Sequence, residues 1–485
     1  MTRHAARPAA ATGLALLAAA CTVGPNYKKP DLPTPATYIE AQSTPRTHVT
    51  TSDAELSAWW AQFHDPELDR LIARGLQDNL DVQTALSRVR ESRQMERETA
   101  AAEYPSLSAA ADTLAAQTDL RPPSGSSGSS GSPTGTGLRV PKSPHLYSVG
   151  FDASWEVDLF GGTRRAIQQA RANTEAQTWA LRDVQVTLTA EIANDYLTLR
   201  EAQARIAIGE AELARQRGLF TLIQARRQTG FVTNLDVNQQ STAVATAAAQ
   251  IPELQAQART QIHAIGVLLG EPPESLSQDL SAQGAIPPPP PKLPLGLPSE
   301  LLERRPDVRE AERRLAAATA GIGVQTANLY PKLDLLAFGS LFGANLSALS
   351  PSPAVAAAGV GTLTQPIFDA GKRIAAVRAA REEREQAFLA YKSAVLGSLR
   401  DVEDALTRYE NEESRRTSLI QAVDAAKGSL KIAQDQYTTG FVPFINVYQS
   451  ENALLNAEDQ LTQSDASVAS DLVSVYKALG GGWSR

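Results

Sequence analysis

The sequence predicts an α+β membrane protein built by internal duplication, on three observations. The first is self-similarity. Thr229-Gly230-Phe231-Val232 returns as Thr439-Gly440-Phe441-Val442, and Leu235-Asp236-Val237 returns as Ile445-Asn446-Val447, both 210 residues later. Asp81-Val82 and Tyr104-Pro105 return as Asp307-Val308 and Tyr330-Pro331, now 226 residues later. The change of 16 is an extra Ser/Gly/Pro tract, roughly 122–137, in the first copy. Such a period decides the architecture before any single element does. The second observation is a strict alternation. Tyr147, Val149, Phe151, Ala153, Trp155, Val157 and Leu159 alternate with Ser148, Gly150, Asp152, Ser154, Glu156 and Asp158, which places apolar side chains on one face of a strand and polar ones on the other. The third is a pair of very long helical stretches.

Taken in order, residues 22–58 are rich in proline and threonine and read as an extended arm. Trp59-Trp60, Phe63 and Leu68 lead into a helix expected from about 66 to 102, with Pro66 suited to a first turn. A strand follows Tyr104-Pro105, and the tract 124–137 is a surface loop by composition. The alternating strand ends at Gly161-Gly162, and no proline recurs before Pro252. A soluble sandwich strand could alternate in this way but is usually shorter; the length and the aromatics at both ends also fit a barrel strand between lipid and water.

From about 163 to 229 the pattern is helical, with Ile192, Leu199, Ile206, Leu213 and Phe220 seven apart. At 1.5 Å per residue this is roughly 100 Å, too long to fold back on a domain of its own. A return helix is expected over 233–269, with a kink at Pro252. Pro287 to Pro291 form a stiff spacer. The second copy repeats the order: a helix over 299–328, weaker strands over 331–341 and 355–368, a long helix over 372–439 with Phe388, Val395, Val402 and Tyr409 seven apart, and a return helix over 444–479. The domains read as a signal segment 1–20, an N-terminal arm 21–65, a first repeat 66–283, a proline-rich linker 284–298 and a second repeat 299–485.

Composition narrows the function classes. The net charge is −7 and no basic stripe interleaves with aromatics, so a nucleic-acid partner is not expected. His4, His48, His64, His145 and His263 are scattered without metal-ligand spacing, no phosphate-cradling glycine loop occurs, and Asp401-Val402-Glu403-Asp404 and Glu382-Glu383 read as solvated helix faces. No cofactor and no enzyme activity are expected. The single cysteine excludes a disulfide framework within one chain. Its position is informative: Arg3 and Arg7 precede the apolar run Ala9 to Ala20, which leads through Ala18-Ala19-Ala20 into Cys21. This reads as a secretory signal ending at a lipidated cysteine, an N-acyl diacylglyceryl anchor whose several acyl chains hold where one alone binds marginally. Thr22 after the cysteine, by resemblance to bacterial lipoproteins, implies sorting to the outer membrane.

Two strands per copy give four, which cannot close a barrel, and an open edge facing lipid is forbidden. The chain must therefore oligomerise; three copies would supply twelve strands, within the range of bacterial barrels. The long helices would then pack into a hollow cylinder.

The chain resembles the TolC family of outer-membrane channels, in its NodT/OprM-like lipoprotein branch. The residues that carry the likeness are Cys21-Thr22-Val23-Gly24-Pro25-Asn26-Tyr27 with Pro30, Trp59-Trp60 with Phe63, Asp65-Pro66 and Leu68, Leu297-Pro298-Ser299-Glu300-Leu301-Leu302-Glu303-Arg304-Arg305-Pro306-Asp307-Val308 with Ala311-Glu312, and Gln365-Pro366-Ile367-Phe368-Asp369-Ala370-Gly371. The resemblance implies a homotrimer with a twelve-stranded outer-membrane β-barrel continued by a twelve-helix periplasmic α-barrel. It implies the exit duct of a tripartite efflux pump of the resistance-nodulation-division (RND) type, with a periplasmic membrane-fusion adaptor, an inner-membrane RND transporter and outer-membrane lipids as partners. An exit duct for type I protein secretion is the nearest rival, and a pore-less structural coiled-coil lipoprotein of the envelope is the rival from another class.

The functional expectation falls on the turns at Gly230 and Gly440, where each long helix meets its return helix. Asn446 and Gln449, and the matched Asp236 and Gln239, are three apart and share a helix face, so they are candidates for a constriction. The resemblance implies aspartate rings at the positions of Asn446 and Gln449, which here are uncharged. It also implies a retained aspartate at Asp236, a retained aromatic at Tyr437 that holds the closed state, and a tip arginine that Val442 replaces. Closure is expected to rest on hydrogen bonds and packing around Tyr437, Asp236 and Asn446. The turns Thr229, Gly230, Phe231, Val232 and Thr439, Gly440, Phe441, Val442 are the expected adaptor-docking sites.

Overall fold

The computed structural model describes residues 22–33, 35–39, 56–115, 145–230, 232–290, 300, 303–349 and 353–483. The signal segment, Cys21, Phe231, the 124–137 tract and most of the linker lie outside the described residues. Two compact units emerge: residues 1–28, 93–172 and 316–385 form one, and residues 29–92, 173–315 and 386–485 form the other.

In the first unit, β1 (Ser106–Ala115), β2 (His145–Val157), β3 (Lys332–Gly343) and β4 (Ala354–Thr364) form one antiparallel sheet in the order β1-β2-β3-β4. β2 and β3, one from each repeat, pair with Val157 opposite Leu333 and Tyr147 opposite Gly343. β1 and β4 pair on one side only, so each leaves a free edge among the described residues. The sheet also leaves large apolar side chains in the open, among them Leu107, Phe151, Leu335, Val355 and Leu363. The N-terminal segment is held to this unit. Arg165 donates to the Val23 and Gly24 carbonyls and to Asn26 Oδ1 at 2.8–3.1 Å. A Cβ on Gly24 would sit 2.5 Å from the Gly323 Cα, so the chain can pass there only as glycine.

The helices are α1 (Pro66–Asp78), α2 (Leu80–Ala101), α3 (Gly162–Gln228), α4 (Asn234–Leu268), the short α5 (Ser277–Leu280), α6 (Pro306–Ala327), α7 (Lys372–Thr438) and α8 (Phe444–Ala478). α3 and α7 are both 67 residues long, α4 and α8 both 35, and α2 and α6 both 22. At 1.5 Å per residue the two longest reach about 100 Å. α4 runs through Pro252 as one helix.

Two expected helices are broken. The stretch 66–102 splits at Asn79, whose side-chain oxygen accepts from the Asp81 and Val82 amides at 2.8 and 3.0 Å. It acts as an N-cap, which competes with helix continuation. The stretch 299–328 is interrupted at Arg305, because the residue before a proline is pushed out of the helical region, and Pro306 then opens α6.

The core of the second unit gathers around Trp59, which is fully buried and stacks on Tyr476 at 5.3 Å, with Trp60 and Phe63 edge-on. Asp65 caps α1 by accepting from the Glu67 and Leu68 amides and also accepts from the Tyr196 hydroxyl at 2.7 Å. Leu68, Leu71, Ile72, Ile192, Leu199 and Val402 complete the buried set. The heptad positions of the long helices are therefore core where the unit is thick. Arg305 ties α6 to its neighbours, with bonds to Asp307, Asp401 and the Ala478 carbonyl. Glu312 is buried and paired with Arg313. Asp401 and Glu403, expected as a solvated face, are thus partly engaged, Glu403 accepting from the Ile39 amide at 2.9 Å.

Candidate functional site

α3 ends on Thr229-Gly230 and α7 on Thr439-Gly440, and both turns belong to the second unit. Gly230 and Gly440 adopt φ of +80° and +81°. A built Cβ at either meets nothing within 4 Å, so the left-handed backbone alone asks for glycine. The Gly230 amide donates to the Arg227 carbonyl and the Gly440 amide to that of Tyr437, both at 3.1 Å; Phe441 N then bonds the Gln436 carbonyl at 2.9 Å. This is the paired bonding of a left-handed helix stop.

The turns then diverge. Thr233 opens α4 with a reciprocal capping box: its hydroxyl accepts from the Asp236 amide, and the Asp236 carboxylate accepts from the Thr233 amide at 2.7 Å and hydroxyl at 2.8 Å. Pro443 opens α8 with no side-chain cap. Asp236 and Gln239 are half-buried, whereas Asn446 and Gln449 are exposed and flank the buried Val447.

Tyr437 is the centre of the site. It packs with Ile223, Leu430, Phe444 and Val447 in one apolar cluster, and Phe444 meets it edge-on at 5.6 Å. Its buried hydroxyl has no hydrogen-bond partner. The hydrogen bonds at these turns lie instead in the Thr233–Asp236 cap, and what surrounds Tyr437 is packing. The ring is engaged instead: the Arg226 guanidinium lies 4.7 Å above its centroid. Arg226 and Tyr437 come from opposite repeats and, with Thr229, Val232, Asp236 and Val442, line an open cleft of about 700 Å³.

Sequence reasoning passed over Arg226. Its one signal is a basic residue in the last turn of a helix, which complements the helix dipole. It also passed over Leu235, which stands 64% exposed in the first turn of α4, as Phe441 stands 84% exposed after Gly440. Thr229, Thr438 and Thr439 turn their hydroxyls back onto carbonyls of their own helices. Phe231 and Cys21 lie outside the described residues. Among the described residues no cluster of His, Cys, Asp and Glu could hold a metal, and no helix is long and apolar enough to cross a membrane.

Below the turns lies a buried polar chain. Gln240 donates to the Gln216 carbonyl at 2.9 Å, Gln216 donates to Glu212, and Arg215 pairs with Glu212 at 2.7 Å. Glu451 of α8 is 2% exposed, reaches Arg215 only at 3.8 Å and has one carboxylate oxygen without a partner. Burial, and then the Glu212 charge, push its carboxyl up to about 7 against the opposing pull of Arg215.

The model of the outer membrane efflux protein family matches residues 71–271 and 297–481. The chain is 30% identical over 482 residues to Nodulation protein T of Rhizobium leguminosarum bv. viciae, covering 99% of this chain and 94% of that one. It is 31% identical over 457 residues to the pyoverdine export outer membrane protein OpmQ of Pseudomonas putida, covering 93% and 94%. Among solved structures it resembles the outer-membrane channel OprN, with a TM-score of 0.84 and 33% identity over 96% of this chain and 100% of that one. The chain belongs to the outer membrane efflux protein family. Its place is the outer membrane, and its work is efflux.

Proposed function

We propose that this chain works as a homotrimer, the exit duct of a tripartite RND-type efflux pump that passively conducts drugs or other small solutes across the periplasm and outer membrane. The observation that carries this reading is a four-stranded sheet, with two edges free among the described residues, joined to two 67-residue helices. A sheet with open edges cannot stand in lipid; three copies make twelve strands and close it. The exposed leucines, valines and phenylalanines of the strands then meet lipid, and the long helices of three copies line a path of about 100 Å. The matched helix lengths, at the same 210-residue offset as the sequence repeat, support an origin by duplication.

The gate in this reading is the pair of turns, with Tyr437 as its packing centre, Asp236 as a helix cap, and Gln239, Asn446 and Gln449 as the polar lining. The resemblance placed carboxylates where Asn446 and Gln449 stand. Without those carboxylates the narrowing has less means to select cations. The adaptor docks on the exposed Phe441 and Leu235 and the turn backbones. Cys21 carries the lipid anchor. Relatives named for pyoverdine export and for solvent efflux by pumps make small solutes the cargo class.

Planar-bilayer recording of the purified full chain tests this. Discrete conducting steps are expected, and they should grow when Tyr437 is truncated. Protein that inserts but never conducts would contradict it.

A further inference from the structure

Glu212 of α3 and Glu451 of α8 come from opposite repeats, and both are 2% exposed in the second unit. One guanidinium serves the two. Arg215 Nε and Nη2 both donate to Glu212 Oε2, at 3.0 and 2.7 Å, while Gln216 donates to Glu212 Oε1. Glu212 is thereby bonded at both oxygens. Glu451 Oε1 meets the same Arg215 Nε only at 3.8 Å, beyond a hydrogen bond, and its Oε2 has no partner and is shut off from solvent.

An ionised carboxylate buried without donors is far costlier than a neutral acid. An oxygen closed to water cannot recruit a donor there, but a proton needs no room. Glu451 is therefore the member of the pair that holds a proton. Burial, followed by the Glu212 charge, raises its carboxyl to about 7. The same buried chain also has a spare acceptor. Gln240 of α4 is fully buried, gives its amide nitrogen to Gln216 and leaves its Oε1 without a partner.

The charges that act on Glu451 are those of Glu212 and Arg215, both on α3. α4 presents the neutral Gln240, and its Asp236, one turn earlier, is held in the Thr233 cap. α7 packs on this stretch of α8 through Leu430, Ala433 and the Tyr437 ring. The next charges along α8 are already engaged, Glu458 with Lys427 of α7 at 3.6 Å and Asp459 with Arg205 of α3 at 2.7 Å. Glu451 itself lies one turn from Val447 and one from Leu454, both in the apolar cluster that holds Tyr437. Lifting this stretch of α8 from α3 would therefore loosen the packing on which the second turn rests.

We propose that a proton on Glu451 latches the tip: α8 stays docked on α3 while Glu451 is neutral, and loss of the proton to water as pH rises frees the second turn. This rests on the gate reading above. Once the proton has left, two buried carboxylates compete for one guanidinium, and Glu451 must gain water or donors by moving away from α3. A closed tip that buries Glu451 binds the proton more tightly than an open one that wets it. Acid therefore favours closure, and alkali favours opening.

Single-channel recording of the full lipidated chain from pH 5.5 to 8.5 tests this. Open probability should rise several-fold with pH in the wild type, and Glu451→Gln should stay at the wild type's acid level throughout. Glu212→Gln removes a charge that helps hold the proton and frees Arg215 for Glu451, so its rise should begin at lower pH. A flat wild-type response, in a channel that Tyr437→Ala still opens, would overturn the latch and leave the gate standing. If Tyr437→Ala changed nothing, the gate reading would fall and the latch with it. Should Glu451→Gln fail to assemble, Glu212→Gln decides, and an unshifted pH response would overturn the latch.

Discussion

The turn joining α3 to α4 and the turn joining α7 to α8 share a left-handed glycine, a threonine before it and helices of equal length, yet they hold shape by different means. The first is fastened within itself. Thr233 and Asp236 cap α4 reciprocally, and Arg227 bonds the Asn234 side chain at 2.8 Å. The second has no side-chain cap, and it leans on Tyr437 and Phe444 in the apolar cluster and on Arg226 from across the cleft. The contrast continues below. Glu212 on α3 has Arg215 and Gln216 as partners, while Glu451 on α8 keeps an unpaired oxygen. A turn held by its own polar bonds keeps its form wherever it moves. A turn held by packing against neighbours can leave when that packing is exchanged for another surface. In the proposed gate, the second turn is therefore the element expected to move.

The largest effect should come from Tyr437→Ala. Truncating a buried aromatic costs about 3–5 kcal/mol, and here it also removes the surface under Arg226. Single-channel conductance should rise strongly while trimers persist. Tyr437→Phe should leave conductance as it is, since the hydroxyl has no partner. If Phe opened the channel as Ala does, the packing account of the second turn would fail.

Next comes the pH response of Glu451. Its carboxyl is raised in the folded chain, to about 7 from the ordinary 4.5. The folded state then binds more protons than the unfolded between those values, so stability falls as pH rises through this window and recovers on acidification. Thermal unfolding measured from pH 4.5 to 7.5 should show this slope, and Glu451→Gln should flatten it.

Thr233→Ala should cost about 1 kcal/mol, the usual worth of a helix cap. Amide exchange at Asp236 and Val237 should quicken, with little change at Asn446. The smallest effect belongs to Arg226→Gln, since a partly exposed cation over a ring is worth about 0.5–1 kcal/mol. It should raise channel open probability modestly, and Arg226→Lys should restore it. An Arg226→Gln effect as large as that of Tyr437→Ala would move the centre of the gate from the ring to the charge.

How much of this was legible varied with the kind of signal. The long helices were, because 67-residue elements free of proline leave a periodic trace. β2 was legible from its alternation, but β3 and β4 emerged only by analogy with the first copy, since Gly339, Gly359 and Gly361 interrupt any period of two. The break at Asn79 was hidden because a polar residue on a helical pattern reads as a surface position until its cap partners are known. At the turns, Gly230, Gly440, Tyr437 and Asp236 were singled out by repeat and resemblance. Their division of labour was not. That Asp236 caps its own helix shows only once its Thr233 partner is placed, and Arg226 enters only through a contact between repeats more than 200 residues apart.

The particle mass of the full lipidated chain in detergent, by light scattering corrected for bound detergent and lipid, tests the central claim most directly. Three chains per particle are expected, because the four described strands, with both outer edges bare among the described residues, are stable in lipid only when copies close the ring. A stable particle of one chain, with its strands shielded from detergent, would contradict the account.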